Sequence, residues 1–458
     1  MSKKRYLIGG LIYAALLMFT GCINGNEGQD VNTNAINNPV KRSEAMDIYV
    51  YSYDVKTIKA IEEFNSQSQI KISMTELKDE SDARQYREKI VTSMLAGNGP
   101  DIVLDNAYWF PALWKNIKNG VFYDLNELIE KDKQFNIRDY NESVLDEGRV
   151  NSKRYFIPLE FNIPILWSTD KAIKQNDISI GKNGFTWEDF RNNALKCNNK
   201  NGVKKYFVGF DFTFSSIVRS SWAEWVDLVN KKTNFDSDEF ITLLKDYKEI
   251  YPTICPNEKI LNLPGIYFDL LENESLIMVN GSLEASPYQL WNQNSAVNAL
   301  LDAKMEIYPY PSITAQKKIN AQIGRFAAIG SYSGYKNEAF CFIKLLLSDK
   351  YQGMDVDGNS FGAPVNQYSF NKLIKILSGE EGRNKALTFK SETIKSIPLQ
   401  ENLIINLNKC ISNTKFKIMD VNIVDMIDQE VSDFMEGKQS AEQTAKRIND
   451  RVRIYINE

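Results

Sequence analysis

The stretch Gly97-Asn-Gly-Pro-Asp-Ile-Val-Leu104 decides the fold. Pro100 stops the preceding helix, and Asp101 opens a short apolar run, Ile102-Val-Leu104, that reads as a buried strand. Working upstream, 85–95 reads as a helix and Ile70 to Met74 as a strand. Val55, Ile58, Ile61 and Phe64 recur at threes on one face of a further helix, and Asp47-Ile-Tyr-Val-Tyr51 reads as the first strand. The order strand, helix, strand, helix, strand predicts a parallel sheet with right-handed crossovers and helices on both faces, an α/β architecture. Downstream, Asp124-x-x-Glu127 and Thr186-x-x-Asp189 have the spacing of helix-start capping boxes. Further helices are expected at 239–250, 337–347, 423–435 and 441–454.

The N-terminus carries a different signal. Lys3-Lys4-Arg5 is a basic segment, Leu7 to Phe19 is apolar, and Phe19-Thr20-Gly21-Cys22 closes it. The apolar run is too short to cross a hydrocarbon core of ~30 Å, so it reads as an export signal over 1–21. The junction resembles a bacterial lipobox, with Phe19 where leucine is usual, and makes Cys22 the expected site of lipid attachment. An ordinary secretory signal with a coincidental cysteine is the alternative. Residues 22–45 are Asn, Gly, Gln and small residues, which cannot bury enough surface to offset ordering, so a flexible tether is expected.

Composition excludes several classes of function. There is no histidine, which rules out Ser-His-Asp and Cys-His nucleophiles and His-ligated zinc or copper. The formal charge of −4 becomes −7 once the three cations of the signal are removed, which argues against nucleic acid as a partner. Cys197, Cys255, Cys341 and Cys410 are widely spaced with no metal-binding pattern. Buried small apolar residues and a single disulfide both fit them, and sequence does not pair them. No cofactor and no metal are expected. With 59 acidic residues, carboxylate pairs can be drawn anywhere, so they are no evidence for a glycosidase or lyase.

Several motifs then converge. Gly97-Asn-Gly-Pro-Asp-Ile102, Gly120-Val-Phe-Tyr-Asp-Leu125, Lys153-Arg-Tyr-Phe-Ile-Pro158, Thr186-Trp-Glu-Asp-Phe190 and Lys336-Asn-Glu-Ala339 follow in this order. Together they resemble the family 1, sugar-type extracellular solute-binding lipoproteins of ABC importers, the maltodextrin-binding-protein-like group. The resemblance runs from about Met46 to the C-terminus. It implies a two-lobed periplasmic-binding-protein-like fold with the ligand between lobes joined by hinge segments. By analogy the first lobe takes 46–157 plus 324–395, and the second takes 158–323 plus 396–458.

The resemblance also implies a function. The expected protein is a monomer, held by lipid on the extracytoplasmic face of the cell membrane. It is expected to capture a small-molecule ligand, a sugar or oligosaccharide, and to deliver it to ABC permease subunits. The alternative is a receptor of the same fold for a non-sugar solute, or one presenting a ligand to a sensor kinase.

Ligands of α/β proteins sit outside the C-terminal ends of strands, in crevices between domains. Sugar faces need aromatic plates plus planar donors and acceptors. The loops that follow the strands offer Tyr53, Trp109, Glu160, Trp222, Ser282, Arg325 and Phe326 as candidate ligand contacts. Trp114, Trp167 and Trp187 are expected to be packing residues. Trp222 and Trp225, three apart near a helix start, need not both face the cleft.

Overall fold

Helix Ala83–Leu95 ends where glycine first permits it: Gly97 adopts φ +75°. Its N–H donates to Met94 O, and Asn98 N–H donates to Ser93 O, so the last carbonyls of the helix are satisfied by a left-handed cap. The chain then turns, and strand Ile102–Asn106 begins. Asp101 ties the turn down. Its carboxylate accepts Asp47 N–H at 2.9 Å and the Ser333 hydroxyl at 2.6 Å.

The computed structural model describes residues 45–50, 55–75, 83–181, 185–197, 204–209, 212–256, 266–281, 286–313, 318–353, 362–389 and 392–458. The N-terminal signal, the tether to residue 44 and Cys22 lie outside them, as do Tyr51, Tyr53 and Ser282.

Three sheets carry the architecture. In the first lobe the strand order is Lys71–Thr75, Ala45–Val50, Ile102–Asn106, Arg325–Ile329, Ile157–Pro158. The first three strands are parallel, as their strand–helix alternation predicts, and Arg325–Ile329 runs antiparallel to both of its neighbours. Helix Val55–Gln67 covers this sheet together with helix Lys336–Leu347, where Phe64 meets Phe342 edge to face at 5.5 Å. The second lobe holds Met305–Pro309, Ile165–Thr169, Leu276–Asn280 and Tyr206–Gly209. Helices Asp238–Ile250, Val421–Met435 and Ala441–Asn457 pack around its aromatic-rich core.

Between the lobes lies a third sheet, ordered Ala363–Pro364, Glu160–Asn162, Ile319–Ile323, Thr414–Phe416. These are the segments in which the chain crosses from one lobe to the other. Its register sorts its residues by chemistry. Pro364 opposes Glu160, Asn162 opposes Gln322, and Asn320 opposes Lys415, while Ala363 and Ile323 oppose Phe161 and Ala321 opposes Phe416. Cross-strand partners share a face and successive residues alternate. One face therefore carries Glu160, Asn162, Gln322, Asn320 and Lys415, and the other carries Phe161, Ala321, Ile323 and Phe416.

Two local expectations meet different fates. Thr186 and Asp189 form a full capping box on helix Trp187–Leu195. Asp124 does not: Leu125 is the cap residue of helix Asn126–Lys131, with no side-chain bond. The Asp124 carboxylate instead accepts Asn126 N–H and Arg154 N–H, both at 3.1 Å, and Glu127 turns to Lys131 and Tyr123.

The segment at the expected end of the first lobe, up to residue 395, contacts a helix of the second lobe. Trp291 Nε1, on helix Pro287–Leu301 of the second lobe, donates to Gly382 O at 3.0 Å. Ile397 N–H donates to Ser295 Oγ on the same helix. The hairpin Ala386–Phe389 and Glu392–Lys395 thus docks on the second lobe. Helix Gln367–Ser378 spans both, with Ser369 and Lys372 bonded to Asp349 at its start and Leu377 O accepting from Leu399 at its end.

Candidate functional site in the cleft between the lobes

The site is built from the end of strand Ile102–Asn106. Below it, Asp105 is buried and held by Arg87 through two bonds of 2.8 Å and by the Tyr49 hydroxyl at 3.0 Å. A carboxylate with three charge-assisted or hydroxyl donors fixes the strand end rigidly. Above it, Asn106 Oδ1 accepts the N–H groups of Tyr108 at 2.9 Å and Trp109 at 3.3 Å, which curls the chain into a tight turn. Ala107 N–H donates to Gly324 O, so the turn stands beside the point where the chain re-enters the first lobe.

That turn presents its two aromatic residues in opposite ways. Trp109 is 51% exposed and meets the Tyr108 ring edge to face at 4.8 Å. Tyr108 is buried, as is Trp114 on the following helix, and both belong to the core of the second lobe. The two lobes therefore touch in this structure. Arg84 adds an ion pair to Asp425 at 3.2 Å, and Lys115 lies 3.9 Å above the Tyr455 ring.

Glu160 and Arg325 meet at the floor. Arg325 Nε lies 3.2 Å from Glu160 Oε2, with the Glu160 carboxylate 6% exposed. Gly324 permits this closeness, since a Cβ there would come within 2.8 Å of Glu160 Cγ. On the second-lobe side, helix Phe214–Ser220 packs against strand Ile319–Ile323 and brings Arg219 to the Tyr108 ring, its guanidinium carbon 5.5 Å from the ring centre. Trp109, Glu160 and Arg325 are thus brought together with Tyr108, Arg219 and the polar face of the crossing sheet.

Two predicted contacts lie apart from this group. Phe326 has no exposed surface: it is wedged among Phe110, Phe122 and Phe156 in the first-lobe core. Its neighbours in sequence, Ala327, Ala328 and Ile329, are equally buried, because this strand is covered on both faces. Trp222 is 1% exposed, packs with Trp225 in the second-lobe core, and reaches the edge of a separate concavity between the lobes, away from Trp109. Trp167 and Trp187 are buried packing residues as expected. Arg219 and Asn320 were not among the predicted residues. An arginine directly after Phe214-Ser-Ser-Ile-Val218 is the one sequence signal that points to the first.

A second concavity of about 580 Å³ opens between the lobes beyond strand Thr414–Phe416, lined by Trp114, Tyr155, Trp222, Glu147 and Lys417 among others. Here Glu147 accepts Ile418 N–H and faces Lys417 at 3.6 Å. Burial pushes its carboxyl up to about 7, against the pull of Lys417. Cys197 and Cys410 carry free thiols, so no disulfide joins the two. Among the described residues, no group of three His, Cys, Asp or Glu side chains is placed to hold a metal ion, and no helix is long and apolar enough to cross a membrane.

The family model for bacterial extracellular solute-binding proteins matches residues 54–353. Among solved structures, the chain is similar to the sugar-binding protein MalE from the phytopathogen Xanthomonas citri, at 14% identity over 90% of this chain and 97% of that one, with a TM-score of 0.66. An ABC substrate-binding protein from Listeria monocytogenes, solved in complex with cycloalternan, matches at 15% identity over 90% and 99%, TM-score 0.63. A periplasmic oligogalacturonide binding protein from Yersinia enterocolitica matches at 18% identity over 90% and 99%, TM-score 0.63. At such identities the likeness is one of fold: two α/β lobes around a cleft.

Proposed function

The chain belongs to the bacterial extracellular solute-binding proteins, and from that premise we propose that it captures a saccharide between its lobes and hands it to an ABC permease. The observation that carries this reading is the pairing of an exposed Trp109 with a polar floor. A sugar ring offers one face of C–H groups, which favours an aromatic plate, and an edge of hydroxyls, which favours planar donors and acceptors. Trp109 is the plate, and Glu160, Arg325, Asn162 and Gln322 supply the edge contacts. The fold neighbours named for sugar, cycloalternan and oligogalacturonide support the same class of ligand.

The crossing sheet is the hinge of this proposal. Ligand that touches both lobes favours the closed arrangement by its differential affinity, and closure is what a permease reads. Cys22 carries the lipid, and the segment to residue 45 is the tether that keeps the lobes at the outer face of the membrane. A thermal-shift screen of mono- and oligosaccharides tests the ligand reading. A saccharide at ~100 times its dissociation constant adds about 2.7 kcal/mol of stability. One chemical group of sugars should raise the melting temperature, and a flat response across the panel would sink the proposal.

A further inference from the structure

The cations that surround the junction of the lobes are nearly all neutralised. Arg325 pairs with Glu160 at 3.2 Å, Lys415 with Glu224 at 3.1 Å, Arg84 with Asp425 at 3.2 Å and Lys417 with Glu147 at 3.6 Å. Arg219 differs. Among the described residues it has no carboxylate within ion-pair distance, and its Nε is buried without a hydrogen-bond partner. Its guanidinium carbon lies 5.5 Å from the centre of the Tyr108 ring. A ring face satisfies none of the N–H donors in the plane of the guanidinium. Asp420, Asp425 and Asp428 exert their field on Tyr108 but none of them is paired with Arg219, and Asp425 is already held by Arg84.

A second unsatisfied group stands on the strand against which the Arg219 helix packs. Asn320 is 1% exposed, yet both Nδ2 and Oδ1 are without hydrogen-bond partners among the described residues. Buried amides of this kind are uncommon, because each unmade bond leaves a desolvated polar group uncompensated. Asn320 stands on the polar face of the crossing sheet with Glu160, Asn162 and Gln322, and the helix that bears Arg219 packs on its strand. Tyr108 links this pair to the exposed plate, touching Trp109 on one side and Arg219 on the other.

A neutral sugar hydroxyl would occupy one donor of Arg219 and leave its charge uncompensated. A carboxylate answers both needs, since the guanidinium fork matches its two oxygens. Resting on the saccharide reading, we propose that the cleft is built for an acidic saccharide whose carboxylate binds Arg219. Asn320 takes neighbouring hydroxyls as donor and acceptor, and the sugar face lies on Trp109.

Calorimetric titration of the purified full-length protein with matched pairs tests this: digalacturonate against galactobiose, and cellobiouronate against cellobiose. Free acetate and monomeric galacturonate are run beside them to separate a bare carboxylate from one carried on a sugar. The acidic member of at least one pair should bind about tenfold or more tightly than its neutral partner, with the preference shrinking as salt is added. Arg219→Gln should bring the acid-to-neutral ratio to about one. Arg219→Lys, which keeps the charge and loses the fork, should retain part of the preference. Melting curves of both variants without ligand establish that they are folded. Equal or tighter binding of the neutral members, or an unchanged ratio in folded Arg219→Gln, overturns the acidic-ligand proposal and leaves the saccharide reading standing. Response to acetate alone overturns it in favour of a small carboxylate ligand. Failure of every saccharide, acidic or neutral, overturns both.

Discussion

Glu160 and Arg325 sit on consecutive crossings of the chain, and their side chains close an ion pair of 3.2 Å at the point where both strands leave the first lobe. Glu160 O also accepts Gly324 N–H at 3.0 Å, so backbone and side chain lock the same two segments together. The carboxylate is nearly buried and the arginine about a quarter exposed. Removing the arginine leaves a buried charge with weaker compensation. Arg325→Ala should lower stability by about 1–3 kcal/mol in urea denaturation. A loss below ~0.5 kcal/mol would mean that water screens the pair as it does on a surface.

Trp109 and Phe326 were expected in the same role and fold into opposite ones. Phe326→Ala empties a site between three phenylalanines and should cost about 3–5 kcal/mol of stability. Trp109→Ala removes an exposed ring and should cost less than ~1 kcal/mol without ligand. Thermal or urea unfolding of the two variants side by side checks the contrast. Equal losses would show that Trp109 is scaffold.

The difference between those two residues marks what a sequence makes legible. The turn at Gly97–Asp101 and the capping box at Thr186–Asp189 are local, and their residues dictate the backbone without outside help. Helices with long apolar periodicity, such as Val421–Met435, were equally readable. Phe326 reads as a loop residue where the chain re-enters the lobe, whereas Phe326-Ala-Ala-Ile329 is an unbroken apolar run that strand burial on both faces explains. Asn320 and Arg219 were missed for another reason. Their meaning depends on two segments about a hundred residues apart packing together with polar atoms left without partners, and periodicity carries no trace of that. The docking of the hairpin 386–395 on Trp291 and Ser295 is likewise a tertiary fact.

Glu147 gives a prediction in pH. Burial raises its carboxyl from 4.5 to about 7 in the folded protein. Between those values the folded protein holds a proton that the unfolded chain has released. The stabilising contribution is therefore full below about pH 4.5 and declines as pH rises toward about 7. Glu147→Gln keeps an acceptor for Ile418 N–H and removes the titration. Melting temperatures from pH 4 to 8 should fall less steeply with pH in the variant than in the parent. Parallel curves would show that Glu147 does not titrate in this window.

The anchor is tested apart from the lobes. Cys22→Ser should release the protein from membranes while leaving its melting temperature unchanged. Continued sedimentation with membranes in high salt would contradict lipid attachment at this residue.

The central claim is that the cleft beside Trp109 holds a saccharide, and calorimetric titration of the wild type and Trp109→Ala with the sugar found by thermal shift tests it most directly. The account predicts one site per chain and a loss of about 1–3 kcal/mol in binding on removing the ring, roughly 5- to 150-fold in dissociation constant. Undiminished affinity in a folded Trp109→Ala would contradict it and place the ligand elsewhere.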